Sequence, residues 1–241
     1  MAEVTTIMQA KDCKTCQSRL MGMFCALDDP ALSELNRGKT TNMYKKGQII
    51  FYEGNRAYGL YCILAGRVKL YKTGIDGRHQ IVRIADPGDL LGYRSLFADE
   101  PYTATAESLE DSTICCIDKN TFFPVLAKHP ELAMNVIKKL SAELRAAEDL
   151  ATSIAQKSVR ERMAELLLML KEAYGKATKA GGISISLELT RQEMGEMIGV
   201  TPETAIRLLS EFKKDGIIDV DERHITITNT KKLLDTARID I

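Results

Sequence analysis

Residues 189–209 read Leu189-Thr-Arg-Gln-Glu-Met-Gly-Glu-Met-Ile-Gly-Val-Thr-Pro-Glu-Thr-Ala-Ile-Arg-Leu-Leu209, and this stretch decides the fold of the C-terminal part. Thr190 is a good N-cap, and Glu193 stands three residues on, where a cap hydroxyl and a carboxylate satisfy each other's backbone N–H groups. Met194, Met197 and Ile198 share the inward face of the helix that follows. Gly199 permits a sharp turn and Val200 plugs the angle between helices. Thr201 caps a second helix, whose first residue, Pro202, has no N–H to leave unsatisfied. Ala205, Leu208, Leu209 and Phe212 supply the buried face of that helix. The pattern predicts a helix-turn-helix.

The outward residues of the second helix are Glu203, Ile206, Arg207 and Ser210, with Lys213 and Lys214 beyond them. An arginine can fork onto guanine O6 and N7, and a glutamate one turn earlier can accept from a cytosine amino group. The bland alternative is a solvated i,i+4 ion pair, common on any helix. Inside a helix-turn-helix, the major-groove reading is the stronger.

Outward from this motif, residues 158–174 have helical texture and 175–182 read as a polar loop. Ile183, Ile185 and Leu187 alternate like a short strand. After Gly216, residues 217–220 and 224–228 read as a hairpin. Earlier in the chain, Ala133, Ile137, Leu140, Leu144, Ala147, Ala151 and Ile154 recur at intervals of four and three. Such a narrow heptad stripe predicts a two-chain seam. Its alternative is a stripe facing the chain's own β-domain. Between Tyr44 and Asp118 short apolar runs stop at glycines every eight to twelve residues, which predicts an all-β roll, barrel or sandwich.

The 241 residues suffice for two domains with their own cores. Formal net charge is zero, and from Ser158 onward 13 Lys/Arg stand against 14 Asp/Glu. DNA contact must therefore come from local placement of charge. No apolar run is long enough to span a bilayer, and the N-terminus lacks a signal-peptide core, so a cytoplasmic protein is expected. No nucleophile elbow, phosphate loop or paired catalytic carboxylates appear, which argues against an enzyme.

Residues 190–212 closely resemble the Crp/Fnr regulators, as do Gly47-Gln48, Gly66, Pro87-Gly88-Asp89-Leu90-Leu91-Gly92 and the heptad helix. The resemblance implies an α+β chain: an N-terminal β-roll of the cyclic-nucleotide-binding kind, a long dimerisation helix and a C-terminal winged helix-turn-helix. The implied boundaries are a cysteine-containing arm over 1–30, the β-roll over 31–128, the dimer helix over 129–157 and the DNA-binding domain over 158–241. Ile137, Leu140, Leu144, Ala147, Ala151 and Ile154 become the dimer interface. By the same resemblance Glu203 and Arg207 read bases, Arg191, Gln192 and Thr201 lie near phosphate, and Thr204 joins the DNA-facing set. The implied partners are palindromic double-stranded DNA, a second copy of the chain and RNA polymerase.

The effector is read from the sensor residues. Relatives that bind a cyclic nucleotide carry a Glu for the ribose and an Arg for the phosphate. Tyr93 and Thr103 stand at those positions here, leaving Arg94 as the only nearby spare cation, so a cyclic nucleotide is disfavoured. Cys13, Cys16 and Cys25 form a C-x2-C-x8-C run, and Cys115 aligns with the fourth ligand of the oxygen-sensing Fnr branch. Four thiolates suit a [4Fe–4S] cluster. The second gap is longer than the usual Fnr spacing, and Cys116 competes with Cys115. Successive strand residues point to opposite faces, so only one of the pair can meet the arm. Cys62, Cys115 and Cys116 also read as small core residues, while Cys13 and Cys16 leave zinc or a redox disulfide open. The three histidines are scattered, and haem through His79 is only weakly suggested.

Overall fold

Short apolar runs between the glycine stops build strands, and eight strands follow one another from Lys39 to Asp118. The structure, a computed structural model, describes residues 12–178 and 181–239. Its contacts divide the chain into two units, one running to Thr73 and from Val82 to Glu143, the other comprising Gly74–Ile81 and Leu144 onward.

The first unit opens with a 3-10 turn at Cys13–Thr15, α1 (Gln17–Leu20) and α2 (Asp29–Arg37). Asp28 caps α2 by accepting from the Ala31 N–H at 2.9 Å. The strands are β1 (Lys39–Tyr44), β2 (Ile49–Phe51), β3 (Gly59–Ala65), β4 (Val68–Thr73), β5 (His79–Ala85), β6 (Leu90–Leu91), β7 (Thr105–Ser108) and β8 (Ser112–Asp118). They form two four-stranded sheets, ordered β1-β8-β3-β6 and β2-β7-β4-β5. Leu60, Ile63, Val68, Leu90, Ala106, Ile114 and Phe122 are buried in one apolar cluster drawn from both sheets and the helices beside them. This matches the expected β-roll.

Two helices interrupt the β pattern where the sequence reading had none. Between β6 and β7, α3 (Tyr93–Ala98) begins at Gly92, whose φ of 77° a residue with a side chain rarely adopts. After β8, α4 (Lys119–Lys128) starts fourteen residues before Ala133, the first residue of the heptad stripe, capped by Asp118. Pro124 lies inside α4 and masks it, because proline reads as a helix breaker. The long helix α5 (Pro130–Gln156) then follows as expected. It buries Leu132 and Val136 against the first unit, whereas Ile137, Leu144 and Ile154 stay exposed. Leu140, on the same stripe, is partly buried and also packs against the core.

The second unit contains α6 (Val159–Tyr174), β9 (Gly175–Ala177), β10 (Ile183–Ile185), α7 (Arg191–Ile198), α8 (Pro202–Lys214), β11 (Ile218–Asp221), β12 (His224–Ile227) and α9 (Thr230–Ala237). The loop expected over 175–182 in fact begins with a strand, since Gly175, Lys176 and Ala177 pair with Ile185, Ser184 and Ile183. All three are exposed and carry no apolar alternation, so only the ladder reveals them. The sheet runs β11-β12-β10-β9. No helix among the described residues is long and apolar enough to cross a membrane.

Candidate nucleic-acid interface and thiol site

Local chemistry sets the helix-turn-helix. The Thr190 side chain accepts from the Glu193 N–H at 3.1 Å, and Glu193 Oε2 accepts from the Thr190 N–H at 2.8 Å, completing the capping box. Gly199 takes φ 71° between the helices, and Thr201 caps α8 with Pro202 in its first turn. Gly195 escaped the sequence reading. A Cβ there would lie 2.8 Å from the Val200 carbonyl oxygen, so the close approach of α7 to the turn needs a glycine.

Glu203, Ile206, Arg207 and Ser210 are exposed on α8, while Ala205, Leu208, Leu209 and Phe212 are buried. Glu203 is held below the usual carboxylate range by its own backbone N–H and by the Thr201 hydroxyl, so it faces solvent ionised. Arg207 does not pair with Glu203; its partner is Glu211, 3.8 Å away. An exposed pair of that kind contributes about 0–1 kcal/mol, less than the ~1–3 kcal/mol of a bidentate base contact. The guanidinium is therefore available to DNA. Of the residues expected near phosphate, Arg191 donates to the Glu222 carbonyl oxygen in the β11–β12 turn at 2.8 Å. Gln192 donates to Glu196 at 2.9 Å. Thr204 shares a hydroxyl contact with Thr201 at 3.3 Å.

Cys13, Cys16 and Cys115 line one cavity, together with Cys62, Arg19 and Lys39. The turn at Cys13–Thr15 brings the first two thiols there, tied to α2 by the Cys13 N–H donating to Asn36 at 3.3 Å. Cys62 sits directly opposite Cys115 in the β3–β8 register, so both leave the same face of the sheet. On sequence Cys62 is only a small core residue, because the register that sets it opposite Cys115 comes from pairing between distant strands. Cys116 pairs with Tyr61 and leaves by the other face. Cys25 is exposed and does not line the cavity.

Burial raises the Cys13 thiol despite the nearby Lys39, and raises Cys62 well above its ordinary value. Such thiols ionise when a cation compensates the burial. Arg19 Nε is buried with no hydrogen-bond partner among the described residues, a donor suited to sulfide or thiolate. The donors thus fit a thiophilic group in chemistry. Among the described residues, however, no three Cys, His, Asp or Glu already stand at metal-holding distances.

A second pocket lies beneath α3, lined by Arg83, Tyr93, Arg94, Ser95, Thr103 and Phe51, among others. On sequence, Arg94 is the only spare cation expected there. Arg83 is a second, and neither is spare. Arg83 Nη1 lies 2.6 Å from Glu143 Oε1, and Arg94 Nε lies 3.7 Å from Glu143 Oε2. Burial, then the Glu143 carboxylate, pushes the Tyr93 phenol up. A carboxylate from α5 thus pairs with both arginines that line this pocket.

Residues 41–129 match the cyclic nucleotide-binding domain family and residues 161–236 the Crp-like helix-turn-helix domain family. The transcriptional activator protein FnrL of Cereibacter sphaeroides is 30% identical over 99% of this chain and 96% of its own length. The chain belongs to the Crp/Fnr family of DNA-binding transcription regulators. A CRP-like cAMP-activated global transcriptional regulator of Mycobacterium tuberculosis is 25% identical over 90% of this Crp/Fnr chain and 96% of its own. The structure of FixK2 from Bradyrhizobium japonicum superposes with a TM-score of 0.74 at 27% identity, covering 84% of this chain and 99% of that one. Of these three relatives, the mycobacterial one alone has a name that states what activates it, so the effector has to be argued from this chain's own residues.

Proposed function

We propose that this Crp/Fnr regulator binds a palindromic DNA site as a homodimer and adjusts that binding to oxygen or redox state. A [4Fe–4S] cluster held by Cys13, Cys16, Cys25 and Cys115 would be the sensor. The observation that carries the proposal is the lining of one cavity by Cys13, Cys16 and Cys115, two from the arm and one from β8. Arg19 Nε on the same wall, buried and without a hydrogen-bond partner among the described residues, supports it, and Glu143 at the arginines of the other pocket argues against a cyclic nucleotide. When bound, a cluster supplies an oxygen-labile cross-link between arm and sheet. Gathering all four thiolates requires residues 21–26 to swing Cys25 inward.

The working division is an arm over 1–30, a β-roll over 31–128, a dimer helix over 129–157 and a DNA-binding domain over 158–241. Glu203 and Arg207 read base edges, while Arg191, Gln192, Thr201 and Thr204 flank them along the backbone. Ile137, Leu140, Leu144, Ala147, Ala151 and Ile154 form the two-chain seam, and RNA polymerase is the protein partner. A second reading, in which the same thiols hold zinc or a redox disulfide, draws on the Cys62–Cys115 juxtaposition.

The test is anaerobic reconstitution with iron and sulfide. About four of each per chain and a brown absorbance bleached by air are expected. Protein that retains neither refutes the cluster, and zinc content with thiol titration of that sample separates the second reading.

A further inference from the structure

The turn that ends β5 touches the cysteine arm on one side and helix α5 on the other. Gly88, at φ 94°, presses its backbone against the arm. A Cβ on Gly22 would lie 2.1 Å from the Gly88 carbonyl oxygen, and one on Gly88 would lie 2.8 Å from that of Ser18. Ser18 Oγ donates to the Leu64 carbonyl oxygen at 2.6 Å, fixing the arm beside this turn. The next residue, Asp89, faces α5. Its Oδ1 accepts from Lys139 Nζ at 2.7 Å and lies 2.9 Å from Arg83 Nη2, while Arg83 reaches on to Glu143. Asp89, Arg83 and Glu143 keep only 22%, 17% and 13% of their side chains exposed, so these contacts are weakly screened.

Asn135, Lys139 and Glu143 follow at intervals of four along α5, which sets them on one helix face. Asn135 Nδ2 donates to the Met23 carbonyl oxygen of the arm at 3.3 Å. One polar stripe on α5 therefore meets the arm, the Asp89 turn and β5 in succession. The apolar residues Ile137 and Leu144 lie off that stripe and exposed.

Resting on the cluster reading above, we infer that Asp89 is the positioning residue that carries the state of the cysteine arm to the long helix. Cys25 lies outside the cavity, so its recruitment must move residues 21–26. Those residues hold both contacts just described, Gly22 on Gly88 and Met23 on Asn135. Packed backbone against backbone cannot yield by a side-chain rotation, so a displaced arm displaces the turn. The carboxylate of Asp89 then pulls on, or releases, Lys139 and the Arg83–Glu143 pair. The contacts form one contiguous set from arm to helix, and the recruitment of Cys25 that the cluster reading requires supplies the second arrangement of the arm.

The test uses the full chain, reconstituted anaerobically with iron and sulfide or left metal-free. The DNA is a palindrome selected from a random pool by the wild-type protein. Wild type should bind it about tenfold or more tightly in one state than in the other. Asp89→Asn and Lys139→Met should keep wild-type iron content but bring the two affinities to within about twofold of each other. Lys139 is the more exposed partner, and methionine keeps its stem, so that variant reports even if Asp89→Asn unfolds. Either folded variant retaining the full wild-type ratio overturns the relay. A wild type that holds iron yet shows equal affinities refutes the cluster as sensor, which is a separate failure.

Discussion

Cys62 and Cys115 stand directly opposite one another on β3 and β8, and both thiols leave the sheet on the face that meets the cysteine arm. Cys116, one residue along, leaves on the opposite face beside Tyr61. Anaerobically reconstituted Cys115→Ala should therefore lose its iron, and Cys116→Ala should keep it. Iron and sulfide analysis of the two proteins decides the matter. The reverse result would mean that the β8 register differs from the one described.

Arg207 projects from α8 with only a weak tie to Glu211. Arg207→Ala should cost about 1–3 kcal/mol on the selected palindrome and relax the preference at one base pair. Fluorescence anisotropy against specific and scrambled duplexes measures both effects. Unchanged affinity for each duplex would remove α8 from the recognition role.

The seam on α5 has a stability consequence. Ile137, Leu144 and Ile154 are 52%, 62% and 45% exposed in the single chain, on the heptad stripe that a partner helix would cover. Ala147 brings no charge to that seam, so the protein should be dimeric both with and without metal. Ala147→Asp should push the metal-free protein toward monomer, because two carboxylates would face each other across the two-fold axis with little water between them. Sedimentation at micromolar concentration reads this directly. A wild-type monomer under metal-free conditions contradicts the expectation.

Gly195 tests the packing of the helix-turn-helix itself. A methyl group there meets the Val200 carbonyl oxygen at 2.8 Å, and backbone cannot rotate away. Gly195→Ala should destabilise the protein by about 1–3 kcal/mol, the usual range for overpacking. Urea denaturation followed by circular dichroism provides the number. A variant as stable as wild type would show that α7 and the turn have room to separate.

The DNA-binding half and the general β-roll plan are legible in the residues alone. The Thr190–Glu193 capping box, the Gly199 turn and the Thr201–Pro202 start act over three or four residues, so their chemistry is complete without the rest of the chain. The heptad stripe is equally local, and α5 spans it. The sensor was legible only in outline. Whether Cys115 or Cys116 meets the arm depends on strand parity set by pairing with β3, which lies some fifty residues earlier in the chain. That same register adds Cys62 to the thiol cavity and leaves Cys25 outside it. Arg83 and Glu143 meet across the fold, and their pairing removes the spare cation that Arg94 had suggested. Gly22 against Gly88 and Asp89 against Lys139 are likewise contacts between distant segments. No periodicity announces such contacts, because each follows from where whole elements come to rest in the packed fold.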